Sequence, residues 1–129
     1  AKAVLGGTAP EPLSGLANAY AHRTLALANG PREEEIVLQA LRLGEVGITS
    51  IPCEVLCEIG LTLKAQSPLP QATFTIELAN GHNGYLPTPR QHTLGGYETW
   101  MGTCTLELLA SLKIQKVLLE MLEKVAGKD

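Results

Sequence analysis

The chain has 129 residues, enough for one domain with a modest core, and 45% of them are apolar, which sets it among folded globular chains rather than disordered ones. A formal net charge of −3 without a basic run leaves no evident donors for phosphate neutralisation, so nucleic acid is excluded as an expected partner. The longest apolar stretch, Leu106 to Val125, is interrupted by Lys113, Lys116 and Glu120, and no transmembrane segment is expected.

Residues 1 to 12, with Gly6-Gly7 and Pro10-Glu11-Pro12, read as a lead-in or linker. Leu13 to Ala28 is rich in alanine and leucine, with Ser14 as an N-cap and Asn29-Gly30 as a stop, and is expected to be a helix. Glu33-Glu34-Glu35 is a solvated turn. From Glu35 to Ile51 the chain splits at Gly44-Glu45. Apolar residues occupy both parities of the two halves, which predicts a β-hairpin buried on both faces.

Pro52 ends the second strand, and residues 55–64 have helical character. Ser67-Pro68-Leu69-Pro70 is a stop and turn, and Ala72 to Leu78 alternates apolar with polar as a strand does. Strand, helix and strand make a βαβ unit. A long loop rich in Gly, Pro, Asn and His is expected from Asn80 to about Gly102. The chain then closes in a helix from Leu106 to Val125, with Lys113, Lys116, Glu120 and Glu123 wet and Leu118, Met121, Leu122 and Val125 buried. The predicted class is α/β: a mixed sheet with a hairpin and a βαβ unit, flanked by an N-terminal helix and a long C-terminal amphipathic helix, in one domain over residues 13–129.

Sites in open α/β sheets form where loops leave the carboxyl ends of strands. Two such exits stand out, Ile51-Pro52-Cys53-Glu54 and Ala79-Asn80-Gly81-His82-Asn83-Gly84-Tyr85. Parallel neighbouring strands would bring Glu54 and Tyr85 out at the same end. Glu54 suits either a helix-capping acid or a functional carboxylate. His82 is a metal ligand, a general base or an ordinary polar loop residue. Gly81 and Gly84 allow positive φ and a close approach of backbone to a ligand. Tyr85, in a chain with few aromatics, is either a core plug or a reacting phenol. There is no nucleophile elbow, P-loop or dinucleotide fingerprint. Three cysteines cannot all pair within one chain, and Cys53 and Cys57 are expected to be small buried hydrophobes. A zinc site of Cys53, Cys57 and His82 is a minor alternative.

Taken in order, Pro52-Cys53-Glu54, the loop from Ala79 through Tyr85 to Pro89, Gly96-Tyr97-Glu98 and Gly102-Thr103 resemble the C-terminal part of the neutral/alkaline ceramidase catalytic domain, closest to its broad bacterial branch. The resemblance covers roughly residues 35 to 125 and implies a zinc-dependent amidase that cleaves an N-acyl bond. It implies that Glu54 and Tyr85 are zinc ligands, completed by two histidines upstream, and that Asn80, His82, Thr88, Tyr97 and Glu98 shape the pocket. His22, His82 and His92 do not occupy the places of the zinc histidines, and the family's serine nucleophile also belongs upstream. The glycine of the family's Pro-Gly-Glu block is Cys53 here, and Gly60-Leu61-Thr62 stands where its Gly-Arg-Arg lies. The expectation is a C-terminal portion of a ceramidase-like hydrolase, inactive alone. Its partners would be the upstream part of the same domain and, through an exposed apolar face, a second copy. The alternative is an interaction or scaffold module that kept the fold without the chemistry.

Overall fold

The structure, a computed structural model, describes residues 1–7, 15–69 and 72–127. Helix α1 (Lys2–Leu5) precedes α2 (Gly15–Asn29). Strands β1 (Gln39–Leu43) and β2 (Val46–Ile51) lead through β3 (Glu54–Val55) into α3 (Cys57–Gln66). Then come β4 (Thr73–Glu77), β5 (Tyr85–Leu86), α4 (Pro89–Leu94), a 3-10 turn at Tyr97–Thr99, and α5 (Ala110–Ala126).

Strands β1 and β2 pair antiparallel across the Gly44-Glu45 turn, where Gly44 takes φ +62°. Strand β4 joins β2 in parallel, giving the order β1-β2-β4 and the mixed sheet with its βαβ unit. The hairpin, the βαβ unit and the long terminal helix stand as the sequence suggested. Helix α5 starts at Ala110, a turn later than its apolar pattern, and keeps Leu118 and Leu122 wholly buried while Lys113, Lys116, Glu120 and Glu123 face water. Burying each of those leucines stabilises the fold by about 1.5–3 kcal/mol.

One face of the sheet carries Ala40, Gly47, Thr49 and Thr73, all buried. Leu122 of α5 sits over Gly47, and Gly60 of α3 lies over Thr75, so both helices cover this face. Between helices and sheet end, Ile51, Cys53, Ile59, Leu63, Leu86, Ala110, Ile114 and Leu118 form the core cluster. The opposite face holds the cross-strand row Leu41, Ile48 and Phe74, with Leu43 and Ile76 beside it. Leu41 is 56% exposed, Leu43 72%, and Phe74 and Ile76 each 45%. This corrects the buried hairpin: apolar residues on both parities showed two apolar faces, but only one is covered among the described residues.

Two further expectations change. The long loop from Asn80 contains β5, α4 and the 3-10 turn. Helix α4 is built by Thr88, Pro89 and Gln91: proline fixes φ in the first turn, while Thr88 and Gln91 form a reciprocal capping box. Part of the lead-in is helical, at Lys2–Leu5, and packs on α2. The proposed N-cap Ser14 lies outside the described residues.

Candidate functional site

The site is assembled from backbone at the carboxyl ends of β2 and β4, the position expected for a parallel pair. After Ile51 and Glu77, the last paired residues of those strands, the two chains stay laced together. Leu78 N–H donates to the Cys53 carbonyl (3.1 Å), Ala79 N–H to Ile51 (3.3 Å) and Asn83 N–H to Pro52 (2.7 Å). Glu54 N–H in turn donates to the Gly84 carbonyl at 3.0 Å. These bonds fix β3 beside β5 in parallel, with Glu54 directly opposite Tyr85.

Gly84 makes the approach possible. Its φ is +73°, and a Cβ there would lie 2.6 Å from the Thr103 carbonyl oxygen. Tyr85 N–H donates to that same carbonyl, at 3.3 Å. The glycine permits the loop to turn while segment 100–104 closes against β5.

The side chains converge as the backbone does. The Tyr85 phenol donates a hydrogen bond to the Glu54 carboxylate, and His82 Nε2 lies 3.2 Å from Glu54 Oε1. The bond from Tyr85, and next that to His82, holds the Glu54 carboxyl below its ordinary range. The reciprocal effect pushes Tyr85 up to about 12, first through the bond to Glu54, then through desolvation and the negative charge of Glu54. Glu98 is near enough to add to that effect. Tyr85 is half-buried and its hydroxyl is engaged by a carboxylate, so it is no core plug.

Glu54 is not a helix cap. The N-cap of α3 is Leu56, with no side-chain cap, and Glu54 lies in a strand two residues before it. Tyr97 packs edge-on against Tyr85 with ring centroids 5.8 Å apart. Thus Glu54, His82, Tyr85 and Tyr97 come together, with Glu98 adding only its charge. Asn80 and Thr88 are engaged elsewhere: Asn80 Nδ2 donates to Gln39 Oε1 at 2.8 Å, and Thr88 caps α4.

A wall of aromatic side chains extends from this cluster and was not read from the sequence. Tyr97 meets Trp100 at 5.7 Å and Trp100 meets Tyr20 of α2 at 5.3 Å, both edge-on. The Arg23 guanidinium lies 5.0 Å from the centre of the Tyr20 ring, and the Tyr20 hydroxyl bonds Thr103 Oγ1 at 2.7 Å. With three tyrosines, one tryptophan and one phenylalanine in the chain, only Phe74 stands outside this wall, and that scarcity was the available signal. At its far end Leu16, Tyr20, Trp100 and Met101 line an apolar groove of about 410 Å³. A larger cleft of about 830 Å³ between α2 and the start of α5 includes neither Glu54 nor Tyr85. Volume alone does not make it the site, because the converging polar groups lie elsewhere.

The cysteines do not form the alternative zinc site. Cys53 is buried in the bend between β2 and β3, while Cys57 begins α3 and is exposed, so the two do not share a helix. Among the described residues no three of the His, Cys, Asp and Glu side chains gather as a metal-holding group. Donors at Glu54 are instead Glu, His and Tyr. Compared with protein-family models, curated proteins and solved structures, the chain finds no match.

Proposed function

We propose that this chain is the C-terminal portion of a zinc-dependent, ceramidase-like amidohydrolase, with Glu54 and Tyr85 as its contribution to the metal centre and histidines upstream as the remainder. The observation that carries this reading is the in-register placement of Glu54 opposite Tyr85. Two hard oxygen donors converging at the carboxyl end of a parallel strand pair fit a zinc ion as a donor set. Bound there, zinc supplies Lewis-acid polarisation of an amide carbonyl or activation of water. The chain's own residues have separate tasks. The laced backbone of 51–54 and 78–84 sets the spacing of the donors, and Tyr97 walls the phenol on one side. The aromatic wall and the groove at Leu16 and Met101 give an apolar surface beside the site, suited to a hydrocarbon-bearing substrate. Alone, the chain is inactive in this reading, because the upstream ligands and nucleophile are lacking.

Zinc content and amide hydrolysis, measured on residues 1–129 and on the protein extended upstream of Ala1, test the proposal. Stoichiometric zinc and hydrolysis in the extended protein, both lost with Tyr85→Phe, support it. An extended protein that neither binds zinc nor hydrolyses an N-acyl amide overturns it. A second reading, a non-catalytic interaction module, is favoured by the uncovered apolar row Leu41, Ile48 and Phe74. It predicts a chain whose partner binding survives Glu54→Gln and is lost with Phe74→Lys.

A further inference from the structure

We infer that His82 is a third donor of the same centre, so that this chain by itself presents a Glu54–His82–Tyr85 site for a divalent cation of the zinc type. The inference rests on the reading just proposed and extends it to a residue that the family resemblance does not place among the metal ligands. Its basis is geometric. In a tetrahedral zinc centre with bonds of about 2.0–2.2 Å, neighbouring donor atoms stand roughly 3.3–3.6 Å apart. His82 Nε2 and Glu54 Oε1 are 3.2 Å apart, close to the edge of such a tetrahedron. Tyr85 is the register partner of Glu54 across the β3–β5 pair.

The support beneath His82 is also built. Its loop is pinned by the Asn83 N–H to Pro52 bond on one side of Gly84 and the Glu54 N–H to Gly84 bond on the other. At the preceding position, Gly81 runs so close to Pro52 that a Cβ would lie 3.2 Å from the proline ring. A pinned loop presents the imidazole without the ordering cost that a free loop adds. As an ion pair alone the contact would contribute little, since the His82 side chain is 67% exposed. In residues 1–129 these three donors are one part of the centre, whose other positions are left to the upstream histidines of the proposed reading. The phenol is indispensable to it, because His, Cys, Asp and Glu alone supply no third donor among the described residues.

Titration of residues 1–129 with Zn²⁺ by calorimetry, and with Co²⁺ by visible absorption, tests the inference. One ion binds per chain, with a tyrosinate signature in the ultraviolet difference spectrum. His82→Ala and Tyr85→Phe each weaken binding by about ten-fold or more. Cys57→Ser and His22→Ala leave it unchanged. His82→Gln, with thermal melting of every variant, checks that the fold survives. The inference is overturned if residues 1–129 bind no ion, or if His82→Ala binds as tightly as the unaltered chain. Zinc bound by the upstream-extended protein independently of His82 would sink this inference and leave the proposed function standing. Binding by neither protein removes both.

Discussion

Glu54 and Tyr85 stand opposite each other in a parallel pair of two-residue strands, and the phenol of one bonds the carboxylate of the other. Each residue therefore sets the other's ionisation: the carboxylate favours the neutral phenol, and the phenol favours the ionised carboxylate.

Replacing Tyr85 by Phe removes the largest cause of the depressed Glu54 carboxyl and is expected to raise its pKa toward the ordinary value of 4.5. The reverse change, Glu54→Gln, lowers the Tyr85 ionisation from about 12 toward 10.0. A group depressed in the fold contributes stability above its unfolded pKa and loses it as pH falls through its folded pKa. Tyr85→Phe should accordingly shrink the acid-side stability change. Carboxyl NMR titration and ultraviolet titration of the tyrosines read the two shifts. Unmoved values in both variants would show that the pair is not coupled.

Gly84 and Gly44 both take positive φ, yet only Gly84 faces a clash, with the Thr103 carbonyl oxygen 2.6 Å from a built Cβ. Gly44→Ala is expected to cost about 1–2 kcal/mol, the usual penalty of a side chain in the left-handed region. Gly84→Ala adds displacement of segment 100–104 and should cost clearly more, on the order of 3 kcal/mol or above. Urea unfolding of both variants makes the comparison, and equal losses would refute it.

The apolar row of Leu41 and Phe74 lies on the uncovered sheet face, with both residues exposed. Exposed apolar surface of this extent favours association. Phe74→Lys should leave stability within about 0.5 kcal/mol, whereas Leu118→Ala, in the core, should cost about 2–5 kcal/mol. Sedimentation should show a concentration-dependent mass that Phe74→Lys lowers. A monomer at every concentration would mean that this face does not bind a second copy.

Burial pushes the Cys53 thiol from 9.0 to about 11, with smaller contributions from Cys104 and Glu34, and burial also raises Cys104. The fold holds the neutral thiol, so its contribution is intact below pH 9.0 and disappears as pH rises toward about 11. Stability is expected to fall across that window, and Cys53→Ala should flatten the fall. Below it, an alkylating reagent should modify Cys57, the exposed thiol, before Cys53 and Cys104. Rapid modification of all three in the folded chain would contradict the burial seen.

Much of the architecture was legible because its signals are local. Gly44-Glu45 between two β-rich runs specifies a hairpin, the alternation of residues 72–78 specifies β4, and a 3.6-residue apolar stripe specifies α5. Helix α4 was not read, because its capping signature Thr88-Pro89-Arg90-Gln91 lies inside a segment rich in loop-forming residues. Their place at the exits of two expected strands marked Glu54, His82 and Tyr85 as candidates without deciding among their roles.

The sequence by itself determined the hairpin, the βαβ unit and the long helices, since periodicity, caps and turn residues act over a few positions. Tertiary structure alone decided that Glu54 meets Tyr85, that His82 joins them, and that one sheet face is left bare. Those outcomes depend on the register of segments far apart in the chain and on which helices cover which face, and neither is encoded in any short run of residues.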